Sequence, residues 1–211
     1  MKHIKIEFFH DTICSFCFPM SYRMRKIAED NPDVEIVHRS FALVKEPVDF
    51  ISMFGSREAA KKDIMSHWQA ADQNDELHRF QIEGMMEQDF LFPISMPALY
   101  ASKAASFLGG QSLYWDAFDA LQSAFFEKNR NIEKEEIIFE EMKTLNMDFE
   151  KWKEYFYSQE VKDAVEEDFR LVSQYGINSV PSFVVNDEYL LSGTQSYETF
   201  NTLIQRLRDE P

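Results

Sequence analysis

From His3 to Phe9 the chain alternates: Ile4, Ile6 and Phe8 fall on one side, Lys5, Glu7 and Phe9 on the other. A period of two predicts a strand with a wetter second face. Beyond Phe18 the period lengthens, and Met20, Met24, Ile27 and Ala28 recur at helical spacing. This helix is expected to stop at Asp30-Asn31-Pro32, because the residue before a proline is pushed out of the α region. Residues 34–41 return to a strand pattern. The first 41 residues therefore spell β-α-β, a unit whose crossover makes the two strands parallel and right-handed.

From about Val48 to Gly176 extended patterns vanish. Helices are predicted over 56–72, 74–87, 97–108, 111–127, 133–145, 148–156 and 159–175, with Gly109-Gly110 and Asn129 to Asn131 as breaks. Leu113, Ala117, Ala120, Leu121 and Ala124 form one core-facing stripe. Trp68, Trp115 and Trp152 all fall on these helices and read as core. Strand character resumes at 182–185 and 189–191, joined by Asn186-Asp187-Glu188, residues suited to a turn that needs positive φ. A closing helix over 197–207 has Ser196 in the capping position. The chain thus divides into 1–48, a helical stretch 49–175, and 176–211.

Composition narrows the partners. The 211 residues are 45% hydrophobic and 15% aromatic, enough for one sizeable core. Lys plus Arg number 22 against 37 Asp plus Glu, a formal charge of −15. That sign opposes a phosphate-neutralising surface, so nucleic acid and anionic membrane are poor partners. Residues 127–168 hold 14 acids and 7 bases, a local net of −7 that reads as a solvated helix face. No apolar run approaches the ~18 residues of a membrane span. Lys2, Lys5 and Glu7 interrupt the first hydrophobic stretch, so it lacks the apolar segment of a secretory signal, and a cytoplasmic protein is expected.

Cys14 and Cys17 are the only cysteines. They form a C-x-x-C that follows a strand and opens a helix, a context associated with redox chemistry. With Cys14 at the first helical turn, unpaired N–H groups and the positive end of the helix dipole favour its thiolate, making it the attacking sulfur. Cys17 lies one turn along, within disulfide reach. Half of a zinc site is the competing reading; His10 or Asp11 and a further residue would have to complete it, and no metal is expected. Neither Ser15 nor Phe16 is cationic, which predicts a weaker oxidant than a motif with histidine between its cysteines. Phe16 is expected to be exposed enough to touch substrate, with Ser15 beside it. Pro19, placed beyond the first turn, should kink the helix.

A second element lies far along the chain. Pro181 precedes the strand at 182–185, and a cis Val180–Pro181 bond would turn the Val180 backbone toward an opposing extended peptide. The residues alone leave that isomer open. Asp11 reads either as a turn ligand or as a proton carrier, and His10 is the one histidine that the sequence brings near the motif. Gly109-Gly110 lacks a phosphate-loop lysine, so nucleotide binding has no support.

Cys14-Ser-Phe-Cys17, the strand at 34–41 and Val180-Pro-Ser-Phe183 followed by Tyr189-Leu-Leu-Ser-Gly-Thr-Gln195 together resemble the DsbA-like thioredoxin superfamily, and within it the cytoplasmic FrnE-like branch. The resemblance implies an α/β, thioredoxin-like fold in two parts, 1–48 and 176–211, around a large all-helical insertion at 49–175. It implies a dithiol-disulfide oxidoreductase or isomerase with Cys14 as nucleophile, Cys17 as resolving thiol and Pro181, in cis, opposite them. No cofactor is implied; the partners would be protein or small-molecule thiols and disulfides. The branch commonly carries Pro-Trp between its cysteines and Tyr-Ile-Gly after them, where this chain has Ser15-Phe16 and Phe18-Pro19-Met20. Kappa-type glutathione transferases and hydroxychromene-carboxylate isomerases are a rival class with a similar fold; they direct glutathione with a serine and require no C-x-x-C. A third possibility is a noncatalytic adaptor that docks through its acidic helices and senses oxidants through its thiols.

Overall fold

The computed structural model describes residues 3–210. Four strands, β1 (Ile4–His10), β2 (Val34–Ser40), β3 (Ser182–Val185) and β4 (Tyr189–Ser192), form one sheet in the order β2-β1-β3-β4. β1 pairs in parallel with β2, Ile6 opposite Ile36, and antiparallel with β3, Phe8 opposite Phe183. The β3–β4 hairpin turns on Asn186 and Asp187, at φ 51° and 60°, as their positions between two apolar runs predict. Helix α1 (Cys17–Asp30) makes the expected crossover from β1 to β2.

Seven helices lie between β2 and β3: α2 (Pro47–Phe54), α3 (Arg57–Gln73), α4 (Ile82–Glu87), α5 (Met96–Phe126), α6 (Glu135–Met142), α7 (Phe149–Tyr157) and α8 (Gln159–Gln174). Helix α9 (Tyr197–Asp209) closes the chain, with Ser196 Oγ accepting the Thr199 N–H at 3.1 Å. The two helices expected over 97–127 are one element, α5, broken at Gly109 and Gly110, whose dihedral angles are not helical. Trp68 and Trp152 are fully buried and Trp115 nearly so.

Four expectations change. Helix α2 has no counterpart in the sequence reading, because Pro47-Val-Asp-Phe-Ile-Ser-Met-Phe54 is short and apolar around most of its girth, leaving no clear stripe. The helix expected over 74–87 shrinks to α4, since Asn74 caps α3 and His78 takes φ 48°. The second face of β1 is dry rather than wet. Phe9 packs with Val184 and Ile177 beneath Leu171, Val172 and Tyr175, and buried Glu7 pairs with Arg39 at 2.6 Å. The acidic stretch is not wholly solvated either, because Glu141 and Asp168 are buried.

Asp168 anchors the helices to the sheet. Its carboxylate accepts the Ser40 N–H at 2.8 Å, an Arg39 N–H at 3.3 Å and a short hydrogen bond from Lys103 Nζ. Three elements, β2, α5 and α8, are tied through this one side chain. The core is divided between a sheet-side cluster around Phe8, Met20, Phe183 and Phe200 and a helical cluster around Trp68, Phe125 and Trp152.

Candidate active site

The segment after β1 turns sharply before it becomes a helix. The N–H of Cys14 donates to the Asp11 carbonyl at 3.1 Å, and the Cys17 N–H to the Cys14 carbonyl at 3.1 Å. Helix α1 consequently starts at Cys17, with Phe16 in the capping position, so Cys14 stands just outside the first turn instead of within it. The same shift disposes of the expected kink. Pro19 becomes the third helical residue, where an N–H would have no intrahelical acceptor and its absence costs nothing.

Cys14 and Cys17 are both free thiols in unlike surroundings. Cys14 is 5% exposed and directs Sγ toward the Val180 carbonyl oxygen at 3.7 Å, across 166 residues of sequence. Cys17 is 0% exposed. Burial pushes the Cys17 thiol well up, helped by hydrogen bonding and charge at Cys14 and by the charge of Asp11. The Val180–Pro181 peptide is cis, and Pro181 directly precedes β3, its carbonyl accepting the Gly193 N–H at 2.8 Å. Cys14, Cys17, Ser15, Phe16, Val180 and Pro181 are therefore drawn to one end of the sheet, as their motifs anticipate.

Beside Cys14 lies an apolar groove of about 290 Å³, lined on one side by Ile13, Cys14, Ser15, Phe16 and Val180. Opposite stand Leu43, Phe50, Phe54, Ile64 and Phe92. Phe16 is half-buried at this groove, whereas Phe18 and Met20 belong to the core. The opposite wall went unseen in the sequence. Its residues carry no chemical signature, and only the fold brings α2, α3 and the 92–93 loop against the cysteines.

Asp11 serves as the turn ligand. Its buried carboxylate accepts the Ser95 hydroxyl at 2.6 Å and the N–H groups of Leu43 and Ile13 at 2.7 and 3.1 Å. Burial pushes that carboxyl up to about 6 against the opposing pull of these donors. His10, the neighbouring residue, faces elsewhere. Its Nε2 lies 2.9 Å from His38 Nδ1 in a nest of Phe8, Tyr114 and Phe118, and burial drives both imidazoles well below their ordinary value. Among the described residues no group of three or more His, Cys, Asp or Glu side chains is arranged to hold a metal ion. No helix among them is long and apolar enough to cross a membrane.

Comparison with solved structures agrees with this architecture. A candidate protein disulfide isomerase from Nitrosomonas europaea superposes with a TM-score of 0.79 at 20% identity, each chain covered completely. The cytosolic disulfide reductase DsbM from Pseudomonas aeruginosa, with GSH, gives 0.74 at 16%, covering 96% of this chain and 99% of that one. A 2-hydroxychromene-2-carboxylate isomerase gives 0.68 at 14%, covering 96% and 95%. At such identities the likeness is one of fold. No curated protein matches the sequence. The model of the DsbA-like thioredoxin domain matches residues 5–205, nearly the whole chain, and this protein therefore belongs to the DsbA-like thioredoxin-domain family of thiol-disulfide oxidoreductases.

Proposed function

We propose that the protein is a cytoplasmic thiol-disulfide oxidoreductase and isomerase of the FrnE-like branch, with Cys14 as nucleophile and Cys17 as resolving thiol. The observation that carries this reading is the asymmetry of the pair. Cys14 meets the groove and the Val180 carbonyl, while Cys17 sits fully enclosed behind it. An attacking sulfur needs access; a resolving sulfur needs only its partner.

The Cys14 thiolate attacks one sulfur of a substrate disulfide. The S–S bond breaks, a mixed disulfide forms, and the other substrate sulfur leaves as a thiolate and takes a proton. Cys17 then loses its proton and attacks Cys14 Sγ, releasing the second substrate thiol. Two electrons have passed from the dithiol to the substrate, and the enzyme is left with a Cys14–Cys17 disulfide. When a substrate cysteine other than the one just displaced attacks the mixed disulfide, Cys14 leaves as the thiolate and the substrate emerges with a new disulfide pairing, isomerised rather than reduced. Ser15, Phe16 and the Val180 backbone would line the bound segment, opposite Pro181. A cytoplasmic setting accords with a chain whose two cysteines are both used in catalysis, and with the fold of the cytosolic reductase DsbM.

The test is a trap. Reduced Cys17→Ser protein mixed with a disulfide-linked peptide should accumulate a mixed disulfide at Cys14, read by mass spectrometry, while the Cys14→Ser, Cys17→Ser double variant forms none. Absence of the adduct would overturn the reading. Glutathione conjugation retained by the double variant would move the protein to the kappa-like transferase class instead.

A further inference from the structure

We infer that Ser95 is a positioning residue for disulfide exchange: acting through Asp11, its hydroxyl holds the turn that carries Cys14, and so sets how readily Cys14 and Cys17 close their disulfide. This role rests on the exchange reading and assigns the residue that keeps its geometry.

Ser95 stands in the capping position of α5 but does not cap it. Ser56, Ser158 and Ser196 hold the same position on α3, α8 and α9, and each hydroxyl accepts the N–H three residues on, at 3.0, 3.2 and 3.1 Å. Those three have extended backbone, as a capping serine requires, whereas Ser95 is already helical at φ −72° and ψ −37°. A residue type that stabilises a helix end has been turned to another use, the kind of local exception that marks functional positions.

That use is long-range. Fully buried, the Ser95 hydroxyl donates to the Asp11 carboxylate at 2.6 Å and accepts the Val44 N–H at 3.0 Å, while its own N–H donates to the Val44 carbonyl at 2.8 Å. Asp11 is buried as completely, and its carboxylate also takes the N–H groups of Leu43 and Ile13. A buried carboxylate is stable only with its donors in place, so losing one forces it to move or to take a proton. Movement would reach the cysteines directly. The Asp11 carbonyl accepts the Cys14 N–H at 3.1 Å, and the Cys14 carbonyl accepts the Cys17 N–H at the same distance. Ser95 therefore fixes Asp11, Asp11 fixes the turn, and the turn fixes one sulfur against the other. A looser turn lowers the effective concentration of each thiol at its partner and disfavours the closed disulfide.

Equilibration of the full-length protein in glutathione redox buffers tests this, with oxidised and reduced fractions read by mass spectrometry after acid quench and alkylation. Ser95→Ala should lower the equilibrium constant for closing Cys14–Cys17 about tenfold, a rise of ~30 mV in reduction potential. Ser95→Thr keeps the hydroxyl and should return the constant to within about twofold of the original. Ser158→Ala removes a true cap far along the chain and should leave the constant unchanged, separating positioning from a general loss of stability. Asp11→Asn, which sets a donor against the donors of Ser95, Leu43 and Ile13, should shift it in the same direction as Ser95→Ala. An unchanged or higher constant in Ser95→Ala, or in Asp11→Asn if the alanine variant does not fold, would overturn the role while leaving exchange intact. So would an equal shift in Ser158→Ala, or a shift that Ser95→Thr fails to reverse. If the unaltered protein forms no Cys14–Cys17 disulfide in any buffer, the exchange reading falls, and the role with it.

Discussion

The two walls of the groove contrast in what they demand of the sequence. One is built from the ends of β1 and β3 and needs particular atoms: a sulfur at Cys14 and a carbonyl at Val180, with the second sulfur, Cys17, enclosed behind them. The other is built from α2, α3 and the loop at Phe92, and needs only apolar bulk at the right distance. Chemistry leaves a readable motif because few residue types supply it. A contact surface leaves almost none, because many apolar side chains would serve.

The sharpest way to break this contrast is Cys14→Ser, which should reduce exchange with every disulfide to the uncatalysed background, measured by single-turnover oxidation. Residual turnover above that level would make Cys17, the one remaining thiol, the nucleophile and remove the special demand on Cys14. Next in size is Asp168→Ala, which strands Lys103 and weakens the hold on β2 at the seam between sheet and helices. Breaking a buried pair by removing one partner costs ~3–5 kcal/mol, which should appear as a lowered urea midpoint.

Acid should act on the site's surroundings in opposite senses. Buried His10 and His38 have depressed values in the folded state, so below the ordinary value of about 6.5 the unfolded chain binds protons that the folded chain refuses. Stability is therefore lost as pH falls through and below that value. Asp11, raised to about 6, works the other way, because protonation between pH 6 and its ordinary range favours the folded state. Two imidazoles outweigh one carboxyl. The urea midpoint should therefore fall between pH 7 and 5.5, and a rise would show that the carboxyl dominates.

The smallest expected effect separates the cysteines from their spacers. Phe16→His introduces a potential cation beside Cys14, and should raise the reduction potential by about 30 mV, equivalent to ~1.4 kcal/mol, in a glutathione redox buffer. An unchanged potential would mean that the spacer residues do not set the poise.

Most of the sheet was legible because its strands carry period-two patterns and its hairpin carries Asn186-Asp187. The wet face assigned to β1 was wrong for a long-range reason: α8 and Tyr175, more than 150 residues away, cover it. The cysteine pair and Pro181 were legible from motif and resemblance together. The start of α1 was not, since only the Asp11-to-Cys14 turn shows where helical geometry begins. Helix α2 escaped because eight residues with a single buried side chain, Phe50, offer no periodicity to detect. In the sequence Asp11 fits either a turn ligand or a proton carrier. Its partners, Leu43 and Ser95, lie 32 and 84 residues away, where no local rule could find them.

Helix α5 has one further consequence. Tyr114, Trp115 and Phe118 insert into the sheet-side cluster, while Ala117, Leu121 and Phe125, interleaved with them on the same rod, fill the helical one. Neither half can melt without stripping a face from this shared spine. Heat should accordingly dissolve both in a single calorimetric peak, and the cleft between them lasts only as long as the molecule stays whole.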